Sequence, residues 1–61
     1  MQGMRILVVD DHSALRETMT EALAGQQDVA AVDAASNGAE ALRLLGERSY
    51  DVMVTDIVMP V

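Results

Sequence analysis

The sequence predicts an α/β protein with a small parallel sheet. Two short apolar runs of strand length, at residues 6–9 and 52–54, are rich in branched side chains. Between them the apolar residues twice adopt helical spacing, and a further short segment with valines, residues 29–35, separates the two helical patterns. The predicted order is therefore strand, helix, strand, helix, strand. Both outer runs lead into aspartate: Asp10 and Asp11 after the first, and Asp56 after the second.

The first predicted strand covers residues 5–9 and is apolar on both faces, as is typical of a central strand. The first helix is predicted over residues 13–24, and Gly25 is predicted to end it with a left-handed cap. Apolar residues at positions i, i+4, i+7 and i+8 predict the buried face. These are Leu15, Met19, Ala22 and Leu23, whereas Arg16, Glu17, Thr20 and Glu21 are predicted to face solvent.

Residues 29–35 predict a weak second strand, because their two valines lie between two helical patterns. Asn37 is the predicted N-cap of the second helix, with Glu40 three residues later at capping-box spacing. The predicted buried stripe of that helix consists of Ala41, Leu42 and Leu45, and the helix is predicted to end at Gly46. The third predicted strand, residues 51–56, cannot continue in a sheet past Pro60.

Right-handed crossovers restrict the arrangement of the three strands. If the two helices cross on opposite faces, the parallel sheet has the order 2-1-3, with strands one and three side by side. Their carboxyl ends then bring Asp10, Asp11 and Asp56 into one crevice. In open parallel sheets, ligands bind in this crevice.

Three neighbouring carboxylates repel one another and need a compensating charge. Mg²⁺ prefers oxygen ligands and is typically held by one or two carboxylates and a phosphate. We expect Asp11 to bind the ion directly, Asp10 to bind it in part through water, and the Val58 carbonyl to add a ligand. Asp56, alone at its strand end, is then the candidate nucleophile that forms an acyl phosphate.

Simpler interpretations of these residues stay open. A lone aspartate at a strand end is usually a turn or cap residue, and Asp10 or Asp11 can stabilise the first helix through its dipole. His12 fits an exposed residue at the helix start better than a phosphoryl carrier.

Composition excludes several classes of function. The net charge is −6, which argues against nucleic acid or an anionic membrane as a partner of this segment. The chain has no cysteine, and therefore neither a disulfide nor a cysteine-based zinc site. It shows no signal peptide and no apolar run long enough to cross a bilayer, so a cytoplasmic location is predicted.

Three ordered motifs resemble the receiver domain of bacterial two-component response regulators. They are Ile-Leu-Val-Val-Asp-Asp-His at residues 6–12, Ser-Asn-Gly-Ala-Glu-Ala-Leu at residues 36–42 and Asp-Val-Met-Val-Thr-Asp-Ile-Val-Met-Pro at residues 51–60. The resemblance implies a flavodoxin-like fold and a signalling domain that is not itself an enzyme. It also implies that Asp56 accepts a phosphoryl group from a sensor histidine kinase, with Asp10 and Asp11 as the acidic pair for Mg²⁺.

The resemblance also predicts that residues 1–61 are the amino-terminal half of a receiver. The family's domain is about twice as long, and its later strands supply a serine or threonine and a lysine that contact the phosphoryl group. The present chain contains no lysine, so impaired activity is expected. The alternative is a half-receiver that is not phosphorylated and acts as a dimerisation or interaction module. A flavin or nucleotide binder is disfavoured, because no phosphate-cradling loop is present.

The third strand is further predicted to mediate self-association. The edge from Asp51 to Asp56 carries neither the lysines nor the prolines that protect natural sheet edges. Two copies can pair their third strands across a two-fold axis, or exchange elements between chains. A homodimer or larger assembly is therefore expected, with residues 52–54 and 57–61 at the interface.

Overall fold

The computed structural model describes residues 3–55 of the chain, and in them the predicted element order is confirmed. Each strand is followed by a helix until the last strand, which gives two βαβ units that share their middle strand. The elements are β1 (Met4–Val9), α1 (Ser13–Ala24), β2 (Val29–Ala35), α2 (Gly38–Glu47) and β3 (Val52–Thr55). Asp56, Val58 and the rest of residues 56–61 lie outside the described residues.

The three strands form a parallel sheet in the order β2-β1-β3, as predicted. At the carboxyl end of the sheet, Val9 pairs with Ala35 on one side and with Thr55 on the other. β1 is therefore the central strand, and the residues that follow it leave the sheet between its two neighbours.

The core is built mainly from β1. Residues 6–9 are almost completely buried, because strands flank β1 and the helices pack on β1 and β2. One apolar cluster lies on the side of the sheet that α2 covers. It consists of Leu7, Val9, Ala35 and Ala41, with Leu44 and Tyr50 packed against it.

The buried face of α1 differs from the predicted one. Leu15 and Ala22 are exposed, whereas Arg16 and Thr20, which were predicted to face solvent, are half-buried with Met19 and Leu23. The polar residues tolerate this position because their side chains have backbone partners. Thr20 Oγ1 donates a hydrogen bond to the Arg16 carbonyl at 2.7 Å, and the Arg16 guanidinium donates to a carbonyl at the end of β1.

The predicted left-handed cap at Gly25 is wrong. Gly25 has φ −79° and ψ −6°, a right-handed conformation, and its N–H donates to the Glu21 carbonyl at 3.2 Å. The N–H of Gln26 then bonds to the Leu23 carbonyl at 3.1 Å, so the chain leaves α1 through a tight right-handed turn.

The predicted cap of α2 is confirmed, whereas the predicted buried stripe is partly wrong. Asn37 Oδ1 accepts a hydrogen bond from the Glu40 N–H at 2.8 Å. Ala41 is buried, but Leu42 and Leu45 are exposed, and α2 continues past Gly46 to Glu47. Leu44, one helical turn after Ala41, packs against the apolar cluster instead.

None of the helices in residues 3–55 is long and apolar enough to span a membrane.

Candidate metal centre

Asp10 lies at the carboxyl end of the central strand and is 1% exposed. Its N–H donates to the Ala35 carbonyl of β2 at 3.1 Å, which extends the sheet by one residue past Val9. The backbone that carries this carboxylate is therefore fixed by the sheet.

The two carboxylate oxygens of Asp10 have different surroundings. Oδ1 accepts a hydrogen bond from the His12 N–H at 2.8 Å, which closes a turn immediately before α1. Oδ2 is buried and has no hydrogen-bond partner within the described residues. Leaving a buried carboxylate oxygen unpaired is costly, and a bound cation removes that cost.

Asp11 and His12 complete an exposed cluster beside Asp10. Their side chains are 68% and 76% exposed. His12 Nδ1 lies 3.0 Å from Asp11 Oδ1 and 3.3 Å from Asp10 Oδ1. One potential ligand atom from each of the three residues lies within 4.8 Å of the other two.

Arg16 joins this site from the first turn of α1, although the sequence favoured an exposed helix charge over a role beside the acids. Its Nη1 donates a hydrogen bond to the Asp10 carbonyl at 2.7 Å. The contact fixes the turn between β1 and α1 without occupying either carboxylate of the pair. An arginine one helical turn into the helix after an acidic pair is the only sequence signal for it.

The residues present fit Mg²⁺. The ion typically binds one or two carboxylates and retains several waters. Asp10 offers a buried oxygen that has no hydrogen-bond partner in the described residues, and Asp11 offers a solvent-accessible carboxylate. One rigid ligand therefore lies beside one adjustable ligand. The other predicted ligands, Asp56 and Val58, lie outside the described residues.

Comparison with known proteins identifies the family. The sequence model of the response regulator receiver domain family matches residues 6–61, nearly the whole chain. The chain belongs to the receiver family. Receivers are signalling domains of two-component systems, and the parallel sheet of order 2-1-3 is consistent with their flavodoxin-like fold.

Curated relatives match the chain over most of its length. The transcriptional regulatory protein LiaR of Bacillus subtilis is 39% identical over 56 residues, which cover 92% of this chain and 26% of LiaR. The protein-glutamate methylesterase/protein-glutamine glutaminase of Bacillus licheniformis is 41% identical over 95% of this chain and 16% of its own length. The protein of the same name from Azospirillum brasilense is 40% identical over 95% of this chain and 15% of its own. The chain thus spans about a quarter or less of the length of these relatives.

A second polar cluster of the receiver, which the sequence did not predict, ties β2 to the connection between α2 and β3. Asp33 Oδ2 accepts hydrogen bonds from the Tyr50 hydroxyl at 2.6 Å and from Arg48 Nη1 at 3.0 Å. The Tyr50 hydrogen bond lowers the pKa of Asp33 most; partial burial opposes this, and the Arg48 hydrogen bond and charge lower the pKa further. Burial, together with the hydrogen bond to Asp33, raises the pKa of Tyr50. The cluster ties the segment that leads into β3 to β2.

Proposed function

We propose that this receiver domain accepts a phosphoryl group on Asp56 from a sensor histidine kinase, with Mg²⁺ bound at Asp10 and Asp11. The observation that supports it most strongly is the buried, unpaired Oδ2 of Asp10 beside the accessible Asp11 carboxylate. A rigid oxygen with no partner among the described residues is suited to a cation that stays bound through the reaction.

The strand register supports the choice of Asp56 as acceptor. Val9 and Thr55 are paired, and Asp10 and Asp56 are the residues that follow them in the sequence. An Asp56 oxygen attacks phosphorus as the bond to the donor's leaving group breaks, which gives an acyl phosphate. A cation held by these residues would neutralise the charge on the carboxylates and the phosphoryl oxygens. Its proposed ligands are Asp10, Asp11, Asp56 and the Val58 carbonyl.

Phosphorylation of this chain by itself is expected to be slow. The chain contains no lysine to stabilise the transferred phosphoryl group. Loss of one preorganised electrostatic partner costs roughly 3–4 kcal/mol, by analogy with deletions in oxyanion holes. The phosphoryl transfer is therefore expected to be measurable over long incubations and slow relative to receivers that have the lysine.

Labelling by a small phosphodonor tests the proposal. The chain is incubated with acetyl phosphate with and without Mg²⁺, and intact mass spectrometry measures the phosphorylated fraction. Asp56→Asn removes the proposed acceptor, and Asp28→Asn, at an exposed loop position, is the matched control. We expect Mg²⁺-dependent labelling in the wild type and in Asp28→Asn, and none in Asp56→Asn.

The alternative function, an interaction module that is not phosphorylated, makes the opposite prediction. In that case no variant is labelled at any Mg²⁺ concentration. Labelling that persists in Asp56→Asn also contradicts the proposal, because it places the acceptor elsewhere.

Self-association through β3 is a second candidate function, and the exposure of that strand favours it. Val52 and Met53 are 40% and 49% exposed although both are apolar. Within the described residues β3 pairs with β1 on one side, and residues 52–55 carry no charge or proline that would protect the other edge. We propose that a second copy pairs with this edge and forms a continuous six-stranded sheet.

Sedimentation velocity over a concentration series tests this association. The wild type is expected to sediment as a dimer or larger species at micromolar concentration. Met53→Lys, which places a charge on the exposed edge strand, is expected to shift the equilibrium to monomer, whereas Leu42→Lys, at an exposed position of α2, is the control. A compact wild-type monomer throughout the series would refute the dimer.

A further inference from the structure

His12 lies over the acidic pair, although its own position is exposed. It is the residue immediately before α1 and has an extended backbone, with φ −93° and ψ 107°. Its N–H is held by Asp10 Oδ1, and its Nδ1 lies 3.3 Å and 3.0 Å from oxygens of Asp10 and Asp11. The ring thus presents a nitrogen to the place where the two carboxylates meet.

The proposed magnesium site gives this imidazole no function. Mg²⁺ is a hard ion that binds oxygen, whereas imidazole nitrogen suits zinc, cobalt, nickel and copper. A cluster of carboxylates alone is not evidence for such a metal. Here, however, Asp10 Oδ2 is buried without a partner in the described residues, and an imidazole nitrogen stands within 4.8 Å of the potential ligand oxygens of both aspartates. The Asp11 and His12 side chains are largely exposed, which leaves room for both to adjust around an ion.

We propose that His12 Nδ1 is a third protein ligand of this site, which gives it a preference for divalent transition metals over Mg²⁺. The inference rests on the proposed metal-binding function of Asp10 and Asp11. In the metal-bound form Nδ1 directs its lone pair to the ion, and the ring proton resides on Nε2. A transition metal present at low concentration then competes with Mg²⁺ for the receiver.

A purely structural role for His12 predicts a different outcome. If the ring only donates a hydrogen bond to the two carboxylates, it competes with every cation equally. Removing the ring then strengthens the binding of Mg²⁺ and Co²⁺ by the same factor. If Nδ1 is a ligand, removing it weakens Co²⁺ binding selectively.

The chain allows a clean test, because His12 is its only histidine and it has no cysteine. The dissociation constants of Co²⁺ and Mg²⁺ are measured by calorimetry on the untagged chain, on His12→Ala and on Ser13→Ala as the neighbouring control. Proton NMR with Co²⁺ provides a second readout, since large contact shifts of imidazole protons require a coordinated ring and His12 is the only histidine of the chain.

We expect His12→Ala to reduce the preference for Co²⁺ over Mg²⁺ on the order of tenfold, with Ser13→Ala unchanged. Wild-type chain with Co²⁺ is expected to show strongly shifted imidazole protons. An unchanged preference, or imidazole protons left unshifted by bound Co²⁺, overturns the role of His12. If the role of His12 is overturned in this way but Mg²⁺ still binds to the wild type, this inference fails while the proposed function stands. If Mg²⁺ does not bind, the proposed function fails as well.

Discussion

Asp10 and Asp11 are adjacent in the chain and have opposite surroundings. Asp10 is enclosed by the sheet and the turn before α1, whereas Asp11 is open to solvent. The buried residue has a fixed position and an unpaired oxygen, and the exposed one can adjust to the ion. This division suits the proposed cation site, which would then need no complete cage of protein ligands.

The unpaired oxygen of Asp10 is expected to cost stability in the absence of metal. Asp10→Asn removes the buried charge and keeps an oxygen to accept the His12 N–H. We expect the metal-free variant to be more stable by about 1 kcal/mol. Urea unfolding in the presence of a chelator measures this, with Asp11→Asn as the exposed control that changes little. A clearly destabilised Asp10→Asn would show that the buried charge is already compensated.

The bond between Asp33 and Tyr50 is expected to make stability depend on pH. Because the pKa of Asp33 is lowered in the folded state, the bond stabilises the fold above the ordinary carboxyl pKa of about 4. The stabilisation is lost as the pH falls through the folded-state pKa. Tyr50→Phe is therefore expected to lose about 1 kcal/mol at neutral pH and to approach the wild type near pH 3.

Unfolding free energies measured from pH 3 to pH 7 check this expectation. Arg48→Met is the control for the second partner of Asp33, and its more exposed ion pair should contribute less and respond to salt. A Tyr50→Phe difference that is the same at every pH would contradict the account.

At the scale of elements, Gly46 and Gly3 have contrasting surroundings. A methyl group at Gly46, in α2, meets no atom within 4 Å, whereas a methyl group at Gly3 meets the Ala30 nitrogen at 2.6 Å. Gly46→Ala is expected to stabilise the fold by about 0.5–1 kcal/mol, because alanine is the better helix former. Gly3→Ala should destabilise it. Thermal unfolding of both variants tests the pair, and a destabilised Gly46→Ala would be inconsistent with helical structure at this position.

Local signals in the sequence predicted the elements well. Asn37 and Glu40 marked the start of α2, and the valines of β2 outweighed its alanines. The helix faces were harder to predict, because apolar spacing alone does not say which side meets the sheet. In α1 the contact of Arg16 with the Asp10 carbonyl turns a polar residue inward, and Leu15 is left exposed. The partner of Arg16 in that contact lies at the end of β1, so the spacing of apolar residues within α1 gives no information about it.

The candidate site was predictable only in part for the same reason. Asp10 and Asp11 directly follow an apolar run that predicts a strand. The unequal burial of the two carboxylates, and the return of the His12 ring to them, depend on the turn between β1 and α1. Likewise, the partnership of Asp33 with Tyr50 joins residues 17 positions apart and depends on the packing of α2.

At the scale of the whole molecule, the central strand links stability to the candidate site. β1 supplies most of the fully buried side chains, and Asp10 is the next residue in the chain. A cation at the proposed site would therefore bind next to the most deeply buried strand of the sheet. A ligand that binds only the folded state stabilises it by an amount that rises with the logarithm of the free ligand concentration above its Kd, so Mg²⁺ should stabilise the entire domain.

Titration of the isotope-labelled chain with Mg²⁺ tests the central claim most directly. The amide signals of Asp10 and Asp11 are followed by NMR in the wild type and in Asp10→Asn. We predict saturable shifts of both signals at millimolar Mg²⁺ in the wild type, with much weaker binding in Asp10→Asn. Wild-type signals that do not move at millimolar Mg²⁺, in a chain that remains folded, would contradict the claim that this acidic pair holds the ion.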